Sequence, residues 1–301
     1  MRLLTTLDEL RDARVEWRRA GAAIGLLPTM GYLHEGHLSH ARAARAENDI
    51  VVASVFVNPA QFGPNEDLAR YPRALPRDTA LLEGAGVDAI FAPTAEAMYP
   101  AGFNTWVEPS GPLTEQLEAA HRPGHFRGVA TVVTKLFTLV APTRAYFGQK
   151  DAQQVAVVRR LIADLNLPVE LRVGPIIREP DGLAMSSRNV YLTGANRAAA
   201  TALSRALSAG RAAWESAGHG AGAVDEARAA MRAVIAAEPL ATLDYAEVCD
   251  PDTCLPLVTI QAPALLAIAA RIGATRLIDN YLLRADGSWE VGRRIEANPP
   301  A

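Results

Sequence analysis

The chain has 301 residues, of which 50% are hydrophobic, and a formal net charge of −3. This length holds one large domain or two modest ones, and the slightly acidic balance argues against a nucleic-acid-binding surface as its main business. No apolar run approaches the roughly 20 residues that cross a bilayer, and acidic Asp8 and Glu9 come too early for a signal peptide.

In chain order, Leu7, Leu10, Ala13 and Trp17 recur at helical spacing and predict a helix over 5–20. The apolar run 24–27 predicts a strand that leads into Pro28-Thr29-Met30-Gly31-Tyr32-Leu33-His34-Glu35-Gly36-His37, and helical composition resumes at Leu38. Strand, glycine-bearing turn and helix together set backbone N–H groups and a positive helix end at the mouth of a sheet. His34 and His37, three apart, share the first helical turn. A phosphate placed there meets amides and two imidazoles, so the stretch reads as a nucleotide site. His40 extends the spacing, but helical zinc pairs favour a spacing of four and no carboxylate partner is evident, so no metal site is expected.

Residues 50–57 do not alternate and predict a buried parallel strand. The loop after it, 58–65, lies at a carboxyl strand end, where open α/β sheets bind ligands. A helix near 76–85 and a strand at 87–91 follow. His125-Phe126-Arg127-Gly128 opens a further helix, 145–147 is a short strand, and Gly148-Gln149-Lys150-Asp151 is the turn after it. Val155, Val158, Ile162 and Leu165 predict the next helix, and 169–173 the next strand. The alternation predicts a Rossmann-like, doubly wound parallel α/β sheet over 1–176.

Beyond it the composition shifts. An Ala-rich stretch to about 238, broken at 218–222 by a flexible connection, predicts two helices; 243–249, 264–270 and 275–283 predict strands. A smaller α+β C-terminal domain with an antiparallel sheet, 177–301, fits. Residues 298–301 are expected to be disordered. Cys249 and Cys254, without further zinc ligands nearby, read as reduced thiols in a cytoplasmic protein.

Among the remaining polar residues, Gln61 and Gln154 are long amides suited to a hydroxyl and a carboxylate of a small substrate. Ser186, Ser187 and Arg188 offer hydroxyls, a guanidinium and consecutive N–H groups to an anion, or else simply cap a helix. Lys150 sits just past a strand end.

Taken together, these motifs resemble the pantoate–β-alanine ligase (pantothenate synthetase) family. The resemblance runs through Pro28-Thr29-Met30-Gly31, His34-x-Gly36-His37, Phe56-Val57-Asn58-Pro59-x-Gln61-Phe62, Tyr71-Pro72-Arg73, His125-Phe126-Arg127-Gly128-Val129, Gly148-x-Lys150-Asp151-x-Gln153-Gln154 and Asp181-Gly182-Leu183-Ala184-Met185-Ser186-Ser187-Arg188-Asn189. Two departures stand out: Gln149 where the family usually has Glu, and Tyr32 where a small residue is expected.

The resemblance implies joining of (R)-pantoate to β-alanine, with ATP cleaved to AMP and pyrophosphate through pantoyl adenylate. It implies that Met30, Gly31, Tyr32, Leu33, His34, Glu35, Gly36 and His37 line the ATP site, with His37 as proton donor and His34 beside it on the phosphates. Lys150, Ser186, Ser187 and Arg188 would hold the β- and γ-phosphates beside Met185. Gly148, Gln149, Lys150, Asp151 and Ile177 would contact the nucleoside. Gln61 would bind pantoate and lie near β-alanine, and Gln154 would bind pantoate. Mg²⁺ is implied as the ATP counter-ion, with Asp78 and Asp151 as candidates for its outer shell, and a homodimer is implied. The small domain is expected to act as a lid over ATP. Competing readings are another nucleotidylyltransferase, a tRNA-linked enzyme sharing the histidine turn, and a nucleotide-binding regulator. The acidic balance and the two-glutamine pocket disfavour a nucleic-acid or phosphorylated substrate.

Overall fold

The computed structural model describes residues 1–217, 222–259 and 262–296. Contacts group the chain into two units: Met1–Thr114, Arg122–Gly148 and Val157–Gly174 form one, and Glu115–His121, Gln149–Ala156 and Pro175–Ala301 the other. The units are discontinuous in sequence, whereas the division expected at residue 176 is contiguous.

The first unit is built on six parallel strands: β1 (Arg2–Leu4), β2 (Ile24–Thr29), β3 (Ile50–Val55), β4 (Ala89–Phe91), β5 (Arg144–Gly148) and β6 (Glu170–Gly174), in the order β1-β4-β3-β2-β5-β6. Between them in sequence run α1 (Leu7–Arg19), α2 (Glu35–Glu47), α3 (Leu75–Gly84), α4 (Ala95–Met98), α5 (Leu117–His121), α6 (His125–Val140) and α7 (Ala152–Asp164), of which α5 and the first turn of α7, to Ala156, belong to the second unit. This is a Rossmann-like sheet. Its order reverses between β2 and β5, which pair directly at Gly25 with Arg144 and Leu26 with Ala145. Ligands of such sheets bind at the carboxyl ends of the strands flanking this reversal.

Local chemistry sets the elements. Thr6 and Glu9 close a capping box at the start of α1, which buries Leu10, Ala13 and Trp17. Strand β2 is buried along both faces through Ile24, Leu26 and Leu27, as a covered parallel strand must be. Leu27, Leu33, Ala41, Ala44, Val51, Ala53, Leu82 and Ile90 close one core between the sheet, α2 and α3. Strand β1 was not predicted. Three residues are too few to show a period, and its partner, β4, is supplied only by the fold.

The second unit carries β7 (Ile177–Arg178), α8 (Gly194–Ala199), α9 (Ala202–Ser216), α10 (Ala223–Ala236), β8 (Ala241–Cys249), β9 (Ala264–Ile272), β10 (Thr275–Leu283), β11 (Trp289–Glu290) and β12 (Arg293–Arg294). Strands β8, β9, β10 and β11 form the expected antiparallel sheet, and β12 pairs with β7. The two helices predicted from the Ala-rich run are α9 and α10, with short α8 in addition. Small Ala202, Ala206 and Ala227 let them pack closely over Leu266, Ile268, Leu277 and Tyr281. The expected flexible connection falls mostly on 218–221, and the expected disordered tail on 298–301; both lie outside the described residues. Cys249 and Cys254 are free and buried. No helix among the described residues is long and apolar enough to cross a membrane.

Candidate active site

In the first unit, β2 runs into the turn at 30–34, and His34 caps α2 from extended backbone. Its Nδ1 accepts from the Gly36 N–H at 3.2 Å, while His37 Nδ1 accepts from the His34 N–H at 3.3 Å. The cap is reciprocal, with imidazoles standing where Ser or Thr and Glu are usual. Because both Nδ1 atoms accept, each neutral ring carries its proton on Nε2. The ring centroids are 4.1 Å apart, so two Nε2–H donors sit together at the positive end of a 13-residue helix.

The turn itself is held by Asp78 on α3. Its carboxylate, fully buried, accepts from the Tyr32 N–H at 2.6 Å and from the Leu33 N–H at 2.8 Å. Gly31, at φ +83°, brings its backbone against Asp78, where a Cβ would lie 3.1 Å from Oδ2. Tyr32 also has positive φ, 49°, and Arg77 lies 5.1 Å from the centre of its ring. The expectation that Asp78 reaches a magnesium shell does not suit this arrangement, because both oxygens already serve the backbone of the turn. Asp151 is exposed.

Gln61, buried in the 3-10 turn Pro59–Gln61, has its amide orientation fixed by neighbours. Asn58 Nδ2 donates to the Gly128 carbonyl at 3.1 Å and to Gln61 Oε1 at 3.0 Å; Tyr99 donates to Asn58 Oδ1 at 2.7 Å. A carbonyl can only accept, so Asn58 is oriented, and Gln61 Nε2 is left to donate toward Met30 Sδ at 3.3 Å. Burial pushes the Tyr99 phenol up to about 12, which keeps it a donor. Below, His125 bonds the Gln61 carbonyl at 2.9 Å through Nδ1, and Arg122 contacts its Nε2 at 3.1 Å. An arginine only donates, so His125 Nε2 accepts and Nδ1–H donates. Gly128 meets the Pro59–Gln61 turn so closely that a Cβ would overlap the Ala60 carbonyl.

His40 has a different setting from His34 and His37. It is buried against the backbone of Gly148 and Gly174, where a Cβ on Gly174 would overlap its ring. Burial pushes its pKa down to about 4, so it is a neutral packing group.

In the second unit, the 3-10 turn Gln149–Asp151 carries half-buried Lys150. Asn280 Nδ2 donates to the carbonyls of Gln149 and Lys150, 3.0 Å each. Ile177 and Met185 are brought together by a Met185 N–H bond to the Ile177 carbonyl at 2.9 Å. They flank a tight hairpin in which Gly182 turns at φ +97° and Arg197 bridges Glu179 and Asp181 at 2.6 and 2.7 Å. The hairpin leads into Ser186, whose Oγ accepts from the Arg188 N–H at 3.2 Å, with Ser187 buried between. Gln154 is half-buried in α7. Its neighbour Gln153 is structural, bonding the Gln116 carbonyl and the Glu118 N–H, 2.9 Å each.

Of the residues that hold the candidate site's groups in place, sequence reasoning missed Tyr99 and Asn280, and it gave Asp78 a different role from holding the turn. Asn58 had a signal, since it sits inside the motif that flagged Gln61.

A parallel sheet whose order reverses beside an anion-ready helix start defines the class of nucleotide-using α/β enzymes. The chain belongs to the pantoate-beta-alanine ligase family, whose model matches residues 2–282. It is 60% identical over 285 residues to the pantothenate synthetase of Roseiflexus sp., covering 95% of this chain and all of that one. Among solved structures, the pantothenate synthetase of Thermus thermophilus superposes with a TM-score of 0.87 at 52% identity, covering 93% of this chain and 98% of that one. The pantoate-beta-alanine ligase of Francisella tularensis, solved in complex with beta-gamma ATP and beta-alanine, superposes with a TM-score of 0.75 at 32% identity, covering 94% and 97%.

Proposed function

We propose that this chain condenses (R)-pantoate with β-alanine at the expense of ATP, giving pantothenate, AMP and pyrophosphate through pantoyl adenylate. The observation that carries the reading is the paired Nε2–H groups of His34 and His37 at the start of α2. They suit phosphate oxygens that gain charge as the α-phosphorus is attacked. A carboxylate is a poor electrophile, and adenylation gives it AMP as a leaving group. In-line phosphoryl transfer then asks mainly for positioning and charge stabilisation.

The pantoate carboxylate attacks the α-phosphorus, and pyrophosphate leaves. The β-alanine amine attacks the acyl carbon, loses a proton and expels AMP. Residues 30–37 hold the nucleotide, with His37 and His34 beside it donating Nε2–H hydrogen bonds to the phosphate oxygens. Lys150, Ser186, Ser187 and Arg188 take the charge of the departing pyrophosphate. Gly148, Gln149, Asp151, Ile177 and Met185 contact the nucleotide. Gln61 presents its oriented amide to pantoate and β-alanine, and Gln154 binds pantoate. Mg²⁺ accompanies ATP on the phosphates, keeping most of its waters; with Asp78 engaged, no protein ligand is assigned to it. A cytoplasmic homodimer completes the reading, and light scattering tests the dimer.

Product analysis with each substrate omitted in turn tests the reaction. AMP and pyrophosphate are expected only when pantoate is present, and pantothenate only when β-alanine is added. ADP and phosphate would replace the adenylate with an acyl phosphate. Turnover independent of pantoate would overturn the reading.

A further inference from the structure

Two consecutive residues of β10, Asp279 and Asn280, are both buried, 3% exposed each, and both polar. Strand alternation sends them to opposite faces of the sheet. On one face Asn280 spends both N–H groups on the Gln149 and Lys150 carbonyls, and its Oδ1 accepts from Gln149 Nε2 at 3.2 Å. Its hydrogen bonding holds the peptide units on either side of the Lys150 Cα. On the other face Asp279 takes two parallel bonds from Arg178, at 2.7 and 2.9 Å. Arg178 opens the hairpin that ends at Ser186; its NH1 donates to the Gly182 carbonyl at 3.0 Å and its Nε to the Val291 carbonyl at 2.6 Å.

A buried polar network of this kind adds little stability over apolar packing of equal volume. What apolar side chains cannot supply is direction: they fix no carbonyl and orient no peptide. We propose that Asn280 is a positioning residue for catalysis. It sets the backbone of the Lys150 turn, so that the ammonium group meets the ATP phosphates at a fixed spacing from the 186–188 turn, which Asp279 holds through Arg178. Gln149 closes the clamp, because an amide there can donate to Asn280 Oδ1 and an ionised carboxylate cannot. The proposal rests on the reading that Lys150 contacts phosphate.

Single-turnover formation of pantoyl adenylate tests it in Asn280→Ala, Gln149→Met, Lys150→Ala and the Asn280→Ala/Lys150→Ala double variant, with melting temperature as a folding control. Asn280→Ala is expected to slow adenylate formation about 10- to 100-fold, as misplacement near 1 Å does, and to leave the KM for pantoate within twofold. Gln149→Met, which removes only the returning bond, should slow it several-fold. In the Lys150→Ala background the Asn280 effect should vanish, since its action runs through the lysine. An Asn280→Ala rate near wild type, or an equal loss in both backgrounds, would overturn the positioning role. Should Asn280→Ala not fold, a wild-type rate in Gln149→Met overturns it. A wild-type rate in Lys150→Ala would instead sink the underlying phosphate reading, and the proposal with it.

Discussion

Arg276 donates to both carboxylate oxygens of Glu118, 2.7 Å each, across 158 positions of sequence. The same guanidinium reaches Asp244 at 2.6 Å, and Tyr245 donates to Glu118 at 2.9 Å. Burial first, and the Glu118 charge second, push the Tyr245 phenol well up, so it remains a donor. This cluster ties Glu115–His121 into the second unit. Glu118→Gln halves the charge facing Arg276 and puts an N–H₂ group where an acceptor is needed. It is expected to cost about 3 kcal/mol, the scale for breaking a buried pair, read by urea unfolding. A cost under about 0.5 kcal/mol would show that Asp244 alone suffices.

Asp78→Asn tests the turn at 30–34. The amide keeps one acceptor and turns its N–H₂ toward a backbone N–H. Charged hydrogen bonds of this kind are worth about 1.5–3 kcal/mol, and a similar loss of stability is expected. The KM for ATP should rise about tenfold, because the turn then samples other geometries. An unchanged KM with lowered stability would make Asp78 a folding residue only.

Gly128→Ala forces α6 off the Pro59–Gln61 turn, since the added methyl would overlap the Ala60 carbonyl and stand 2.6 Å from the Gln61 nitrogen. Overpacking of this sort costs about 1–3 kcal/mol. Because Asn58 and Gln61 are oriented from the Gly128 carbonyl, the KM for pantoate should rise more than tenfold. ATP binding by calorimetry should change little. Equal losses for both substrates would contradict the assignment of Gln61 to pantoate.

His40 predicts an acid limb. Its folded pKa near 4 lies below the unfolded value near 6.5, so the unfolded chain binds the extra proton between those values. Stability from this group is therefore complete above about pH 6.5 and is lost as pH falls toward 4, by about 3 kcal/mol in all. Unfolding curves from pH 7 to 4.5 should fall less steeply in His40→Leu than in wild type. Parallel curves would refute the burial argument.

The parallel sheet was legible because covered strands write continuous apolar runs between helical periods, as 50–57 does before Phe62. The histidine turn was legible because strand, glycine and helix are consecutive. Asp78 was not: its bonds to Tyr32 and Leu33 span 46 and 45 positions, and only the fold brings α3 to the turn. The same holds for Asn280, 131 and 130 residues from the carbonyls it grips. Gln153 and Gln154 illustrate the limit within a motif. Adjacent and chemically alike, they are turned apart by a 100° rotation about a helix axis that no composition reveals, which leaves Gln153 buried on Gln116 and Glu118 and Gln154 half-buried.

The reciprocal cap of α2 has a consequence for timing. Since each imidazole commits Nδ1 to a main-chain amide as the helix forms, the tautomer of both rings is selected during folding. On the proposed reading, a nucleotide arriving at the turn would meet Nε2–H dipoles whose tautomer is already set, and little reorganisation energy would remain for the chemical step. The ordering of the site is charged to the stability of one helix end, where it persists between turnovers.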